Sequence, residues 1–202
     1  GFKMDLHSHT HVFSGVVVNG EFAHGATSQT AKVLPTGSFW YEPAGQPHYD
    51  GCLGKAPCHF IVSFEGPVDM KPSKEPAAEP KMKIVSADKI EWKEVKGGVK
   101  MAVINGNPKK GGFQAVFEFP AGMTTNVHTH SANFSGALLS GTHHRGPSAD
   151  KLVTLTPGSV WFEPANSEHM EKCGEKANCL MFGTFDGPLD TKSVELTPAS
   201  KK

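Results

Sequence analysis

The sequence predicts an all-β chain made of two tandem domains, each a small barrel or sandwich, and two observations carry that prediction. The first is an internal repeat: at an offset of 121 residues, positions 1–71 fall on positions 122–192 without a gap. A repeat of this kind fixes the architecture before any single element is assigned. The second is the texture of both halves, in which short apolar stretches are broken by Gly, Pro, Asn and Asp and none holds a helical apolar period.

Taken in order, residues 1–70 form the first domain, with strands expected over 12–18, 39–42 and 60–64. Residues 71–83, rich in proline and charge, read as a semi-rigid, solvated linker. Residues 84–192 form the second domain. Residues 84–95 alternate loosely around Ile90 and Trp92 and are expected to open that domain with an added strand. Two further strands follow, one from Val99 and one in which Phe113, Ala115, Phe117 and Phe119 alternate with Gln114, Val116 and Glu118; the turn 107–112 separates them. Residues 193–202 read as a polar tail. The first half has no counterpart of residues 99–121, because the sequence opens at the equivalent of Gly122. The expectation is that the natural chain begins earlier, with any signal peptide lost from this sequence; the other reading is that a different segment fills those strand positions.

Within the repeat the residues that coincide are those of a chemical site. His7 falls on His128, His9 on His130 and His48 on His169. Around them Phe13-Ser-Gly15 falls on Phe134-Ser-Gly136, Trp40 on Trp161, Glu42-Pro-Ala44 on Glu163-Pro-Ala165, and Cys52 and Cys58 on Cys173 and Cys179. A strand puts residues i and i+2 on one face roughly 6.6 Å apart, so each His-x-His pair can address one ion. A tight turn at Pro43 or Pro164 brings the third imidazole. A lone strand histidine is ordinarily a polar residue satisfied by hydrogen bonds. Six at duplicated positions, framed by the same Gly and Pro, point to a divalent transition metal (Fe, Zn, Ni, Cu or Mn), up to two ions per chain.

Composition narrows the partners. Lys plus Arg and Asp plus Glu both number 20, so the formal net charge is zero and no electrostatic footprint for nucleic acid exists. The Lys-rich stretches 93–100 and 109–110 read as solvated surface. No apolar run approaches the roughly 20 residues of a membrane span, and no signal peptide is visible at the Gly-Phe-Lys-Met-Asp opening. A small-molecule ligand is the expected partner, with homodimerisation left open.

The two motifs resemble those of the cupins. The first cupin motif, G-x5-H-x-H, is met by Gly1-x5-His7-x-His9 and by Gly122-x5-His128-x-His130. The second, G-x5-P-x-G-x2-H, is met by Gly37-x5-Pro43-Ala-Gly45-x2-His48 and, with Asn166 for glycine, by Gly158-x5-Pro164-x-Asn166-x2-His169. The resemblance implies two tandem jelly-roll β-barrels, the first lacking its N-terminal strands, and is strongest to bacterial bicupins related to the cupin domain of ChrR-type anti-sigma factors. Two departures stand out. The acidic ligand expected shortly after the second histidine is replaced by Phe13-Ser14 and Phe134-Ser135, and the Asn ending the second motif is Cys52 or Cys173. Each site is therefore expected to be three-histidine, as in cupin dioxygenases, with positions open for oxygen or an anionic chelating substrate. Three functions compete: a metal-dependent, non-haem Fe dioxygenase of small chelating substrates; a metal-holding sensor or small-ligand binder; and a non-catalytic scaffold. The sequence does not decide between enzyme and binder.

The remaining candidates carry bland and sharp readings together. His11 extends the first histidine run and is either an extra ligand or a surface histidine; His24, His59, His143 and His144 read as surface or strand histidines. Glu42 and Glu163 are candidates for a general acid/base or a fourth metal ligand, or else hydrogen-bond to a neighbouring backbone or to a metal-bound histidine. Phe13, Trp40, Phe134 and Trp161 pack the barrel or wall a pocket. Asn133-Phe-Ser135 matches a glycosylation acceptor, though its place beside the motif argues against modification. Each cysteine pair encloses five residues, which suits a β-hairpin joined by a disulfide; buried thiols or soft metal ligands are the alternatives. Bridged pairs would place the protein in the periplasm or outside the cell, free thiols in the cytoplasm.

Overall fold

The computed structural model describes residues 1–194. The chain divides into two compact units, the first Gly1–Trp92 and the second beginning at Lys93. Both are built of short antiparallel strands, and among the described residues the only helical elements are three-residue 3-10 turns. No helix there is long and apolar enough to cross a membrane.

In the first unit the strand Phe13–Asn19 is central, pairing with Phe39–Glu42 on one side and His59–Phe64 on the other. Its Val16, Val17 and Val18 are all buried, as suits a β-branched run covered on both faces. Phe13 and Val17 pack with Phe22, Leu34 and Trp40 into one core cluster, each such side chain contributing about 1.5–3 kcal/mol by leaving water. A second four-stranded sheet, containing Phe2–Lys3, Tyr49–Cys52, Phe22–Gly25 and Lys32–Leu34, completes the sandwich. Gly15 explains part of the repeated Phe-Ser-Gly frame. A Cβ there would stand 2.0 Å from Trp40 Cζ2, and one on Gly136 would stand 2.1 Å from Trp161 Cζ2. Only a missing side chain lets each indole lie on the strand.

The second unit carries the strands absent from the first. Lys100–Gly106 and Phe113–Phe119 pair with each other, and the latter pairs with Cys179–Phe185. The alternating Phe113, Ala115 and Phe117 enter a core with Met101, Phe134 and Phe185, as the periodicity predicts. In the first unit the counterpart of Cys179–Phe185, the strand His59–Phe64, pairs among the described residues only with Phe13–Asn19, and Phe60 is 44% exposed.

Several expectations need correction. The stretch 84–95 does not open the second domain as a whole: its start lies in Lys83–Val85, which pairs with Phe39–Glu42 and belongs to the first unit, while Lys93–Glu94 is the added strand of the second. The start of the expected linker is structured too, Lys71–Pro72 pairing with His7–Ser8. Proline and charge are tolerated there because these are edge strands. Lys192–Ser193 pairs likewise with His128–Thr129, and the rest of the expected tail, 195–202, lies outside the described residues. Both disulfides, Cys52–Cys58 and Cys173–Cys179, are formed. Neither closes a hairpin. Tyr49–Cys52 and His59–Phe64 lie in different sheets, as do Met170–Cys173 and Cys179–Phe185, so each bridge ties together two sheets of its unit.

Candidate metal centres

The same pieces of backbone assemble both histidine trios. His7 and His48 face each other across an antiparallel bridge, their main chains exchanging hydrogen bonds at 3.1 and 2.8 Å; His128 and His169 do the same at 2.8 and 3.0 Å. The carbonyl of His9 accepts the Gly45 amide at 2.7 Å, and that of His130 accepts the Asn166 amide at 2.7 Å. Gly45 and Asn166 have φ of 72° and 62°, a conformation that glycine and, among other residues, asparagine adopt most readily. This accounts for the Gly/Asn place in the turn before the third histidine.

The ring nitrogens are prepared for a metal. Nδ1 of His7 donates to the Asp5 carbonyl at 2.8 Å, that of His48 to Gln46 at 3.1 Å and that of His9 to Asp69. At the offset positions His128 donates to Asn126 at 2.8 Å, His169 to Ser167 at 3.0 Å and His130 to Asp190. A carbonyl only accepts, so Nδ1 carries the proton and each Nε2 presents a bare lone pair. Nε2 of His7, His48 and His169 is buried without a hydrogen-bond partner among the described residues, a costly state that a cation would relieve. Burial pushes His48 down to about 4 and His169 down to about 3, and lowers His128 and His130 as well. These imidazoles stay neutral at neutral pH. The ligand atoms of each trio lie within 4.8 Å of one another. Both trios fit one divalent transition ion.

What surrounds the trios differs. Beside the first runs a chain of side chains: His24 Nδ1 lies 2.7 Å from Asp50 Oδ1, its Nε2 3.1 Å from Glu42 Oε2, and Gln46 Nε2 donates to Glu42 Oε1 at 2.7 Å. Burial alone would lower the His24 pKa, but its bonds to Asp50 and Glu42 raise it to about 9. It is an imidazolium donating at both ends. Asp50 Oδ2 faces the trio, 3.5 Å from His7 Nε2 and 3.7 Å from His48 Nε2.

In the second unit Arg145 occupies the place of His24, Glu171 that of Asp50 and Glu163 that of Glu42. The Arg145 guanidinium donates from Nε and Nη2 to Glu163 Oε2 at 3.2 and 3.1 Å, and from Nη1 to Glu171. It lies 4.8 Å over the Phe134 ring. Burial lowers its pKa to about 10, so it remains a cation at neutral pH. His143, at the place of Phe22, is fully buried against Trp161, and neither of its ring nitrogens finds a hydrogen bond among the described residues.

A cavity of about 330 Å³ opens onto this second trio, lined by His128 and His130, by Phe117, Phe119, Phe134, Trp161 and Met181, and, as the one carboxylate among the described residues, by Glu171. Phe134 and Trp161 thus wall a pocket as well as the core. Trp40, 1% exposed, belongs to the core, and Phe13 packs against the His9 ring at 4.9 Å. Glu42 bonds to His24 and Gln46, and Glu163 to Arg145, and neither carboxylate belongs to the group of ligand atoms of its trio. His11 lies outside the trio, its ring against Gly66. His24 and His143 are strand histidines, but wholly buried ones, contrary to a surface placement. The disulfides remove the cysteines as metal ligands, and the Asn133 side chain is engaged by Asp186 and Ala165.

Comparison with solved structures gives the fold. The chain is similar to a candidate dioxygenase from Nostoc punctiforme (TM-score 0.75, 15% identity, 97% of this chain and 70% of that one). It is similar also to oxalate decarboxylases from Lactobacillus farciminis (0.61, 14%, 95% and 75%) and Bacillus subtilis (0.60, 15%, 95% and 67%). At such identities the likeness speaks for the two-barrel cupin fold alone. No curated protein matches the chain in sequence. Residues 1–192 match the family described as a domain of unknown function, DUF4437, and the chain belongs to that family, as a bicupin with one histidine trio in each barrel.

Proposed function

We propose that the protein is a metal-dependent enzyme of the dioxygenase type whose working site is the second barrel. The observation that carries this reading is the apolar cavity opening onto His128 and His130. His128, His130 and His169 would hold the ion; a bound Fe(II) would supply the redox and Lewis-acid chemistry and hold a chelating oxygen head. Phe117, Phe119, Phe134 and Trp161 receive the apolar body of a small substrate and exclude water from the reacting end. Glu171, held by Arg145 at the cavity wall, is placed to accept or return a proton. Glu163 serves Arg145 instead.

The test is direct. Metal content of the protein as isolated is measured alongside His128→Ala/His130→Ala, and oxygen consumption of the iron-loaded protein is followed on a panel of diketones and thiols. Iron bound to the second trio, with substrate-dependent oxygen uptake lost in the double variant, supports the reading. Tight zinc with no turnover on any member of the panel favours the binding or sensing alternative. The disulfide in each unit supports assignment to an oxidising compartment, periplasmic or secreted. Four alkylatable thiols in the native protein would overturn that placement.

A further inference from the structure

We infer that Asp50 is a fourth protein ligand of the ion at the first trio, closing that site, whereas Arg145 withholds the equivalent Glu171 and keeps the second site open. The inference rests on the metal reading proposed above. Its ground is geometric. Ligand atoms sharing one ion at bond lengths of about 2.0–2.2 Å stand about 3.4 Å apart in a tetrahedral set. Asp50 Oδ2 lies 3.5 Å from His7 Nε2 and 3.7 Å from His48 Nε2, close to two of the three edge lengths that a fourth ligand of such a set needs; the group of ligand atoms within 4.8 Å of one another is the three histidines alone, so the carboxylate closes the third edge, to His9, by moving toward the ion. Neither nitrogen makes a hydrogen bond, so the approach of this oxygen is not explained by donation from the imidazoles.

A second observation fixes which oxygen is presented. His24 takes the other carboxylate oxygen, Oδ1, at 2.7 Å and is itself held by Glu42 at 3.1 Å. Asp50 is therefore oriented through its far side, as ligating carboxylates commonly are. In the second barrel the longer Glu171 side chain ends on the Arg145 guanidinium. Arg145 is anchored in turn on Glu163. Two exchanges across the repeat, His24 for Arg145 and Asp50 for Glu171, decide whether the acidic residue turns to the ion or to a cation of the protein. Four protein ligands describe a closed, structural site; three describe one that keeps a place for substrate.

Two single-site proteins test this. His128→Ala/His130→Ala leaves the first trio and His7→Ala/His9→Ala leaves the second; each is titrated with Co2+ by visible absorption and against a competing chelator. In the first background Asp50→Asn, which keeps the shape and the contact to His24, is expected to weaken Co2+ binding at least tenfold and to change the ligand-field spectrum. In the second background Glu171→Gln is expected to change affinity less than threefold and leave the spectrum unaltered. An Asp50→Asn protein that loads Co2+ with unchanged affinity and spectrum overturns the fourth ligand while leaving the trio intact. Failure of either background to take up Co2+ overturns the metal reading of that barrel. A crystal of the Co2+-loaded wild-type protein gives the answer without any substitution: an Asp50 oxygen within about 2.2 Å of the ion supports the inference, and one beyond about 3 Å contradicts it.

Discussion

The first and second barrels present the same three imidazoles, held through the same three main-chain carbonyls, in settings of opposite character. Around the first trio the polar residues form a hydrogen-bonded chain, Gln46 to Glu42 to His24 to Asp50, whose last oxygen stands 3.5 Å from His7 Nε2. Around the second they close on one another through Arg145, and an apolar cavity of about 330 Å³ takes the freed side of the site. The difference teaches that a duplicated ligand set need not mean a duplicated job. On the reading proposed here, a few exchanges beside an unchanged histidine trio make one copy a brace and the other a place for chemistry.

The comparison breaks most visibly at the histidines. His128→Ala/His130→Ala is expected to lower turnover by about 10³-fold, the several kcal/mol that a catalytic metal contributes. His7→Ala/His9→Ala should leave turnover within about threefold in protein that remains folded. Steady-state oxygen uptake on both variants checks this, and equal losses would erase the division of labour.

Next in size is the buried cation. Arg145→Met strands Glu163 and Glu171 without their partner and is expected to cost about 3–5 kcal/mol in denaturant unfolding. Removing Glu163 and Glu171 together with Arg145 should recover most of that loss.

The counterpart in the first barrel titrates, and so sharpens the contrast. His24 has a folded pKa near 9 against an ordinary 6.5. A raised value stabilises the state that keeps the proton, so the contribution is complete below about pH 6.5 and is lost as pH climbs through about 9. Its size is about 3 kcal/mol. Arg145 keeps its charge to about pH 10. Hydrogen exchange on metal-free protein should therefore show the first unit loosening between pH 7 and 9 while the second holds. His24→Gln should abolish that pH dependence.

Smallest is the bridge between sheets. Cys52→Ser/Cys58→Ser is expected to lower stability by roughly 2 kcal/mol, as loop-closure entropy gives for so short a loop, and the Cys173/Cys179 pair should lose a similar amount. Thermal unfolding of both variants, with and without reductant, measures the two losses. A large difference between them would mean that the two bridges sit under unequal strain.

Much of this was legible in the sequence, and the misses have a common cause. The trios could be read because His-x-His on a strand and a Pro-led turn are both local, and because identical residues recurred at one offset. Phe-Ser-Gly and Trp could be seen as a frame for the same reason, and the structure supplies their purpose in the indole lying on Gly15 or Gly136. Asp50 and Glu171 escaped because they are alike in charge but not identical. Each stands two residues beyond the third histidine, on the same strand face, where an acidic side chain in both halves was the available signal. His24 and Arg145 escaped more completely, since an imidazole and a guanidinium at matching positions look unrelated until each is found holding the same two carboxylates. The edge strands Lys71–Pro72 and Lys83–Val85 were hidden by proline and charge, which mark solvent exposure and say nothing against pairing along one side.

The measurement that bears most directly on the central claim is anomalous scattering at transition-metal edges from a crystal of the protein as isolated. The account predicts one peak among His7, His9 and His48, with an Asp50 oxygen at ligand distance, and one among His128, His130 and His169, with no fourth side chain bound. Ordered trios without a peak, or a second site closed by Glu171 in the manner of the first, would contradict it.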